Sequence, residues 1–172
     1  LSKNKAINMI AFLFGGRAAE EIVFNDITTG AGNDIERATD IARRMVCEWG
    51  MSEKLGPLAY EKREGQPFLG MQNSAVREYS EAKAEEIDKE VFRFVDDGYK
   101  TALRILRENV EILHGLSNAL LEHETIDAHE VELIFRGGSV EDITRERDSK
   151  NREMAKEQAI GKQREKEDEA AK

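Results

Sequence analysis

The stretch Thr28-Thr29-Gly30-Ala31-Gly32-Asn33-Asp34-Ile35-Glu36-Arg37-Ala38-Thr39 decides how this chain is read. Gly30 and Gly32 loosen the backbone just before an amphipathic run. In that run Ile35, Ala38, Ile41, Ala42, Met45, Val46 and Trp49 recur at three- and four-residue steps, the period of a helix with one buried face. Asn33 and Glu36 stand at capping-box spacing. The pattern predicts a helix from Asn33 or Asp34 to about Trp49, closed by Gly50. Asp34 then falls in the first helical turn, where two roles suit a carboxylate. It complements the positive end of the helix dipole, worth about 0.3–1 kcal/mol. Or, fixed at a helix start beside a Gly-hinged loop, it is a metal ligand.

Outward from this stretch the chain reads as mainly helical. Residues from about Lys3 to Phe24 carry a wide apolar face (Ile7, Ile10, Leu13, Phe14, Ala18, Ile22) and predict one helix. Gly15 and Gly16 interrupt it, and mid-helix glycine costs about 1 kcal/mol relative to Ala, so the pair is expected to admit another backbone. Glu20 and Glu21 follow Arg17 either as a solvated face with local ion pairs or with Glu20 turned toward a polar site. Pro57–Tyr60 and Pro67–Leu69 flank a polar turn and predict a small β-hairpin. A long helical stripe from about Val76 to Glu108 would extend about 48 Å. It is expected to pack antiparallel against the C-terminal helices, Val110–Glu122 and a last one opened by the Asp127/Glu130 capping box and closed by Gly137-Gly138. From residue 139 large apolar side chains become rare, with nine basic and ten acidic residues up to Lys172. The expected organisation is a folded domain over 1–138 and a charged, disordered or marginally helical tail over 139–172.

Composition narrows the function. A net charge of −9 argues against nucleic acid as a partner. The single cysteine, Cys47, lies in an apolar helical pattern and excludes a disulfide framework. No run reaches the roughly 18 apolar residues of a membrane span, and the N-terminus does not read as a signal peptide. The opening Leu1-Ser2-Lys3, in mid-pattern and without an initiator Met, reads as the start of a piece of something longer. Of the three histidines, only His129-Glu130-Val131-Glu132-Leu133 approaches the His-Glu-x-x-His of a zinc protease helix, and Leu133 stands where the second His is needed. No phosphate-binding loop or nucleophile elbow is present. From its residues alone, the chain reads as a mainly helical domain with no self-contained catalytic site.

Three strings in order alter that reading: Phe14-Gly-Gly-Arg-Ala-Ala-Glu-Glu-Ile22, Thr29-Gly-Ala-Gly-Asn-Asp-Ile-Glu-Arg-Ala-Thr39 and Met45-Val-Cys-Glu-Trp-Gly-Met-Ser-Glu-Lys-Leu-Gly-Pro57. Together they closely resemble the peptidase domain of the FtsH family of membrane-bound, ATP-dependent zinc metalloproteases. Glu124-Thr-Ile-Asp-Ala128 is similar to that family's C-terminal helix start, and the likeness covers about residues 1–135. The resemblance implies zinc as cofactor, held by two His of a His-Glu-x-Gly-His helix and by the Asp that here is Asp34. It implies that Glu20 supports a His ligand and that the general base is the Glu of the His-Glu-x-Gly-His helix, which is not in this chain. It further implies an ATPase domain using ATP and Mg, a hexameric ring, and unfolded, membrane and soluble proteins as substrates, processively degraded. The place would be the cytoplasmic side of a bacterial inner membrane, or its organellar counterpart. With one of three zinc ligands, residues 1–172 alone are expected to be inactive. The competing reading is a non-catalytic helical oligomerisation or interaction module.

Overall fold

The structure is a computed structural model that describes residues 1–60 and 79–170, with side chains through residue 158. It divides into two compact units, Leu1–Glu108 and Asn109–Lys172. The first holds α1 (Lys3–Leu13), α2 (Gly15–Phe24), a 3-10 turn (Thr29–Ala31), α3 (Gly32–Cys47) and α4 (Glu81–Glu108). The second holds α5 (Val110–His123), α6 (Ala128–Phe135) and α7 (Val140–Ala170).

In the first unit the apolar stripe of α4 is filled by α1, α2 and α3. Ile87, Val91, Phe94, Gly98 and Ala102 of α4 are buried. They meet Ile10 of α1 and Ala38, Ala42, Met45, Val46 and Cys47 of α3 in one core. Gly98 is a point of close approach in the seam. A Cβ there would stand 2.5 Å from Ile10 Cγ2 and 3.3 Å from the Ala11 backbone nitrogen. This is the close helix–helix approach that the sequence suggested for Gly15 and Gly16. A Cβ on either of those would meet nothing within 4 Å. Their place is instead at the start of α2, because the expected single helix breaks at Phe14. There the Phe14 N–H still donates to Ile10 O at 3.3 Å, while Phe14 O accepts the Ala18 N–H at 2.9 Å. α2 ends at Asn25, whose φ of 50° is a left-handed conformation that Asn tolerates.

The segment after α3 is stitched back onto it. Gly50 has φ of 58°, and a Cβ there would lie 2.9 Å from Pro57 Cα, so both conformation and space demand glycine. The Tyr60 N–H donates to Cys47 O at 2.8 Å and the Tyr60 hydroxyl to Leu55 O at 3.0 Å. Pro57–Tyr60, expected as one arm of a hairpin, is therefore irregular chain tied to the end of a helix, and no strand occurs among the described residues. The other arm, 67–69, and residues 76–78 of the predicted long helix lie outside the described residues. α4 itself starts at Glu81, with Ser80 Oγ accepting the Lys83 N–H at 3.3 Å. One polar lock joins this segment to α4. Ser52 Oγ donates to Glu90 Oε2 at 2.6 Å, and the Arg93 guanidinium donates to both Glu90 oxygens at 3.2 and 2.9 Å. Arg93, more than Ser52, holds the buried Glu90 carboxyl below the usual carboxylate range.

In the second unit Ala119, Ile134 and Ile143 are buried together. The predicted capping box is formed: Asp127 Oδ1 accepts the Glu130 N–H at 2.9 Å, and Glu130 Oε2 accepts the Asp127 N–H at 2.8 Å. The segment expected to be a disordered or marginal tail is helical, and its first turns join this core. Ile143 is fully buried. Ser139 and Asp142 cap one another, the Ser139 N–H donating to Asp142 Oδ2 at 3.0 Å and the Asp142 N–H to Ser139 Oγ at 3.3 Å. Arg147 clamps the buried Glu130 from α7, Nε to Oε1 at 2.6 Å and Nη2 to Oε2 at 2.7 Å, and also donates to Thr125 O at 2.6 Å. The Arg147 hydrogen bonds pull the Glu130 carboxyl down to about 2 from its ordinary 4.5. A carboxylate so depressed contributes stability that is complete above its unfolded value and fades as pH falls toward its folded one.

This packing has testable consequences in both units. Gly98→Ala should destabilise the first unit by roughly 1–2 kcal/mol, overpacking outweighing the gain in helix propensity. Gly16→Ala, with open space around it, should stabilise by about 0.4–1 kcal/mol. Urea unfolding followed by the fluorescence of Trp49, which packs against this core, measures both. In the second unit, Arg147→Ala should cost roughly 1.5–3 kcal/mol at neutral pH. Wild-type protection of amides in 110–145 should fall between about pH 4.5 and pH 2, and Glu130→Gln should remove that acid-dependent component. Hydrogen exchange from neutral pH down to about pH 2 checks all three.

Candidate metal centre

The 3-10 turn Thr29–Ala31 contacts both α2 and α3 and links the two helices. Asp34 lies in the first turn of α3, as predicted, but the helix begins earlier and without the expected cap. Its N-cap residue is Ala31, which makes no side-chain cap hydrogen bond, so the Asn33/Glu36 capping box does not form. The start of α3 is held instead by the 3-10 turn that runs into it, capped by Thr28, whose Oγ1 accepts the Gly30 N–H at 3.2 Å.

Glu20 holds Thr28 in turn. The Thr28 N–H donates to Glu20 Oε2 at 3.2 Å and the Thr28 hydroxyl to Glu20 Oε1 at 2.8 Å. Glu20 is thus tied through Thr28 to Gly30, in the turn that leads into the helix bearing Asp34. The adjacent acid, Glu21, faces another way. It accepts from the Tyr99 hydroxyl of α4 and pairs with Arg107 at 3.5 Å. Burial, followed by this bond to Glu21, raises the Tyr99 hydroxyl above its ordinary value. One acid of the pair therefore secures α2 to the loop, the other to α4.

Asp34 opens onto a cleft of about 710 Å³, lined by Asn8, Ala11, Phe12 and Leu13 of α1, Gly15 and Gly16 at the start of α2, Arg37 of α3, and Thr101, Ala102, Ile105 and Leu106 of α4. Phe12 is 82% exposed on this side. The Asp34 side chain is about half exposed, and Arg37 Nη1 lies 3.9 Å from its Oδ1. That loose, solvated pair is weak and leaves the carboxylate accessible to a ligand from the cleft. An accessible carboxylate oxygen is a suitable zinc donor, so Asp34 fits the role of one member of a donor set. Among the described residues no group of three or more His, Cys, Asp or Glu side chains could hold a metal.

The histidines belong to the second unit. His129 pairs with Glu146 at 3.0 Å, and His123 Nε2 lies 3.1 Å from Thr144 Oγ1. The His129-Glu130 string, a decoy by spacing, supplies its Glu to the Arg147 clamp. Cys47 is buried in the core. Sequence reasoning missed Thr28 and Arg37. Thr28 carried a legible signal, a Ser/Thr two residues ahead of a glycine at a turn, which was masked by the stronger Asn33/Glu36 pattern.

A family model for peptidase family M41 matches residues 1–134. The chain belongs to that family. It is 61% identical over 151 residues to the ATP-dependent zinc metalloprotease FtsH 1 of Bdellovibrio bacteriovorus, covering 87% of this chain and 23% of that protein. It is 48% identical over 145 residues to the ATP-dependent zinc metalloprotease FtsH of Myxococcus xanthus, covering 84% of this chain and 22% of that one. The protein of the same name from Magnetococcus marinus is 51% identical over 140 residues, 81% of this chain and 21% of its own length. The chain spans less than a quarter of each of these relatives.

If Asp34 serves a ligand more than the helix, removing it should hardly disturb the fold. Asp34→Ala should change the stability of the first unit by less than about 1 kcal/mol, the limit of a dipole contribution at an exposed helix start. Urea unfolding of the variant measures this.

Proposed function

We propose that this chain is the C-terminal part of the proteolytic unit of an ATP-dependent zinc metalloendopeptidase that processively degrades unfolded, membrane and soluble proteins. The observation that carries the reading is Asp34, an accessible carboxylate in the first turn of α3, opening onto an apolar-walled cleft. Membership of peptidase family M41 supports it, as do the names of the relatives, all zinc metalloproteases. The same names favour the enzyme over the non-catalytic interaction module.

In this reading Asp34 is one zinc ligand, and the remaining ligands and the general base come from a part of the whole protein outside this chain. Zinc, when bound, supplies Lewis-acid chemistry for peptide hydrolysis. Asp34 contributes a negative oxygen whose direction is set by the start of α3. Glu20 acts from α2, where it orients the neighbouring polar groups. Both of its oxygens are engaged by Thr28, and each keeps a lone pair with which to accept from a histidine ligand as well. Phe12, Ile105 and Leu106 make the adjoining cleft wall apolar, which suits burial of apolar side chains. The hexameric ring, the membrane anchor, the ATP- and Mg-dependent ATPase and the cytoplasmic face of a bacterial inner membrane belong to the whole protein and rest on the family resemblance. No described helix of this chain is long and apolar enough to cross a membrane.

Residues 1–172 alone, incubated with zinc and casein, should show no chelator-sensitive cleavage; such cleavage would overturn the split-site reading. In the whole protease, Asp34→Ala should lower casein degradation by at least about 100-fold, the upper range for disturbing a metal's surroundings, while ATP hydrolysis persists. Full proteolytic activity in that variant would contradict the ligand assignment.

A further inference from the structure

Thr28 uses two donors on a single carboxylate. Its backbone N–H and its hydroxyl grip the two oxygens of Glu20, at 3.2 and 2.8 Å. The same hydroxyl oxygen accepts the Gly30 N–H at 3.2 Å. Gly30 belongs to the 3-10 turn that passes directly into α3. α3 has no side-chain cap of its own, so the Thr28 hydroxyl is the side-chain acceptor that satisfies an amide at this entry and sets where the turn begins. Space around the relay is close: a Cβ on Gly30 would lie 3.3 Å from Thr28 Oγ1 and 3.8 Å from Glu20 Oε1. Asp34 follows four residues after Gly30, on the first turn whose register this entry defines.

We propose that Thr28 is a positioning residue for the metal centre. It transmits the position of Glu20 on α2 to the start of α3 and so fixes the direction of the Asp34 carboxylate. The inference rests on the reading of Asp34 as a zinc ligand. Its physical basis is separate. A valine at position 28 keeps the shape and the backbone N–H bond to Glu20 but leaves the Gly30 N–H without its acceptor and one Glu20 oxygen without its donor. The 3-10 turn then samples other conformations, and the carboxylate carried behind it spreads over more directions than a metal can use. Serine at position 28 restores both hydrogen bonds.

The test uses the whole protease carrying this chain, as wild type, Thr28→Val, Thr28→Ser and Asp34→Ala. Three quantities are measured: zinc affinity by competition with a chelator, kcat and KM on a peptide substrate, and hydrogen exchange of the Gly30 amide. Thr28→Val should weaken zinc binding by about 10- to 100-fold, lower kcat with KM little changed, and speed Gly30 exchange, with Thr28→Ser close to wild type in all three. Wild-type zinc affinity in Thr28→Val, or an equal loss in Thr28→Ser, would overturn the proposal. Asp34→Ala separates the two levels. If it loses zinc while Thr28→Val does not, the relay alone is wrong; if Asp34→Ala retains zinc, the ligand reading fails and the relay fails with it.

Discussion

The first unit depends on a missing side chain. With no Cβ, Gly98 lets α4 settle onto Ile10 and the Ala11 backbone of α1, and protein interiors are packed so densely that even one methylene at such a contact is felt. Ile10 is fully buried at that seam. α2 and α3 also pack on α4, and those two helices carry Glu20 and Asp34. Small residues repeat the device on α3, where Ala38 and Ala42 are fully buried. The metal-centre candidates are therefore displayed by a packed helical body, although the loop that links them is exposed.

That division of labour suits a ligand more than a structural acid. Glu90 shows what a structural acid looks like in this unit: buried, bonded to Ser52 and held by Arg93. Glu130 shows the same in the second unit, with Arg147, Asp127 and a strongly depressed carboxyl. Asp34 has none of this. It is about half exposed, its cation partner is 3.9 Å away, and it opens onto a cleft. A side chain so lightly committed within the chain is available to something outside it.

Much of this was legible in the sequence, and the failures have physical causes. The α3 stripe, the Asp127/Glu130 capping box and the α5 segment could be read because each is a local pattern of strong period or reciprocal spacing. The Asn33/Glu36 box failed because the backbone is already helical at Gly32, one residue before Asn33, so Asn33 lies inside the helix that it was expected to cap. The glycines were misassigned for a different reason: composition shows where a Cβ is missing, but only tertiary structure shows which gap another helix fills. Ile143 and Arg147 were passed over because one apolar and one charged residue cannot signal a core in a charge-rich stretch, though Ser139 and Asp142 stood at capping distance. Asp34 and Glu20 could be chosen from their strings, whereas Thr28 became visible only when its two hydrogen bonds were seen to meet on one carboxylate.

The account's central claim is that Asp34 belongs to a metal rather than to its helix. The most direct measurement is the zinc content of the whole protease and of its Asp34→Ala variant after equilibration against a buffered, low free-zinc concentration. The account predicts about one zinc per chain in the wild type, as for a single catalytic site, and a large loss in the variant with its helical content unchanged. Equal zinc content in the two proteins would contradict it.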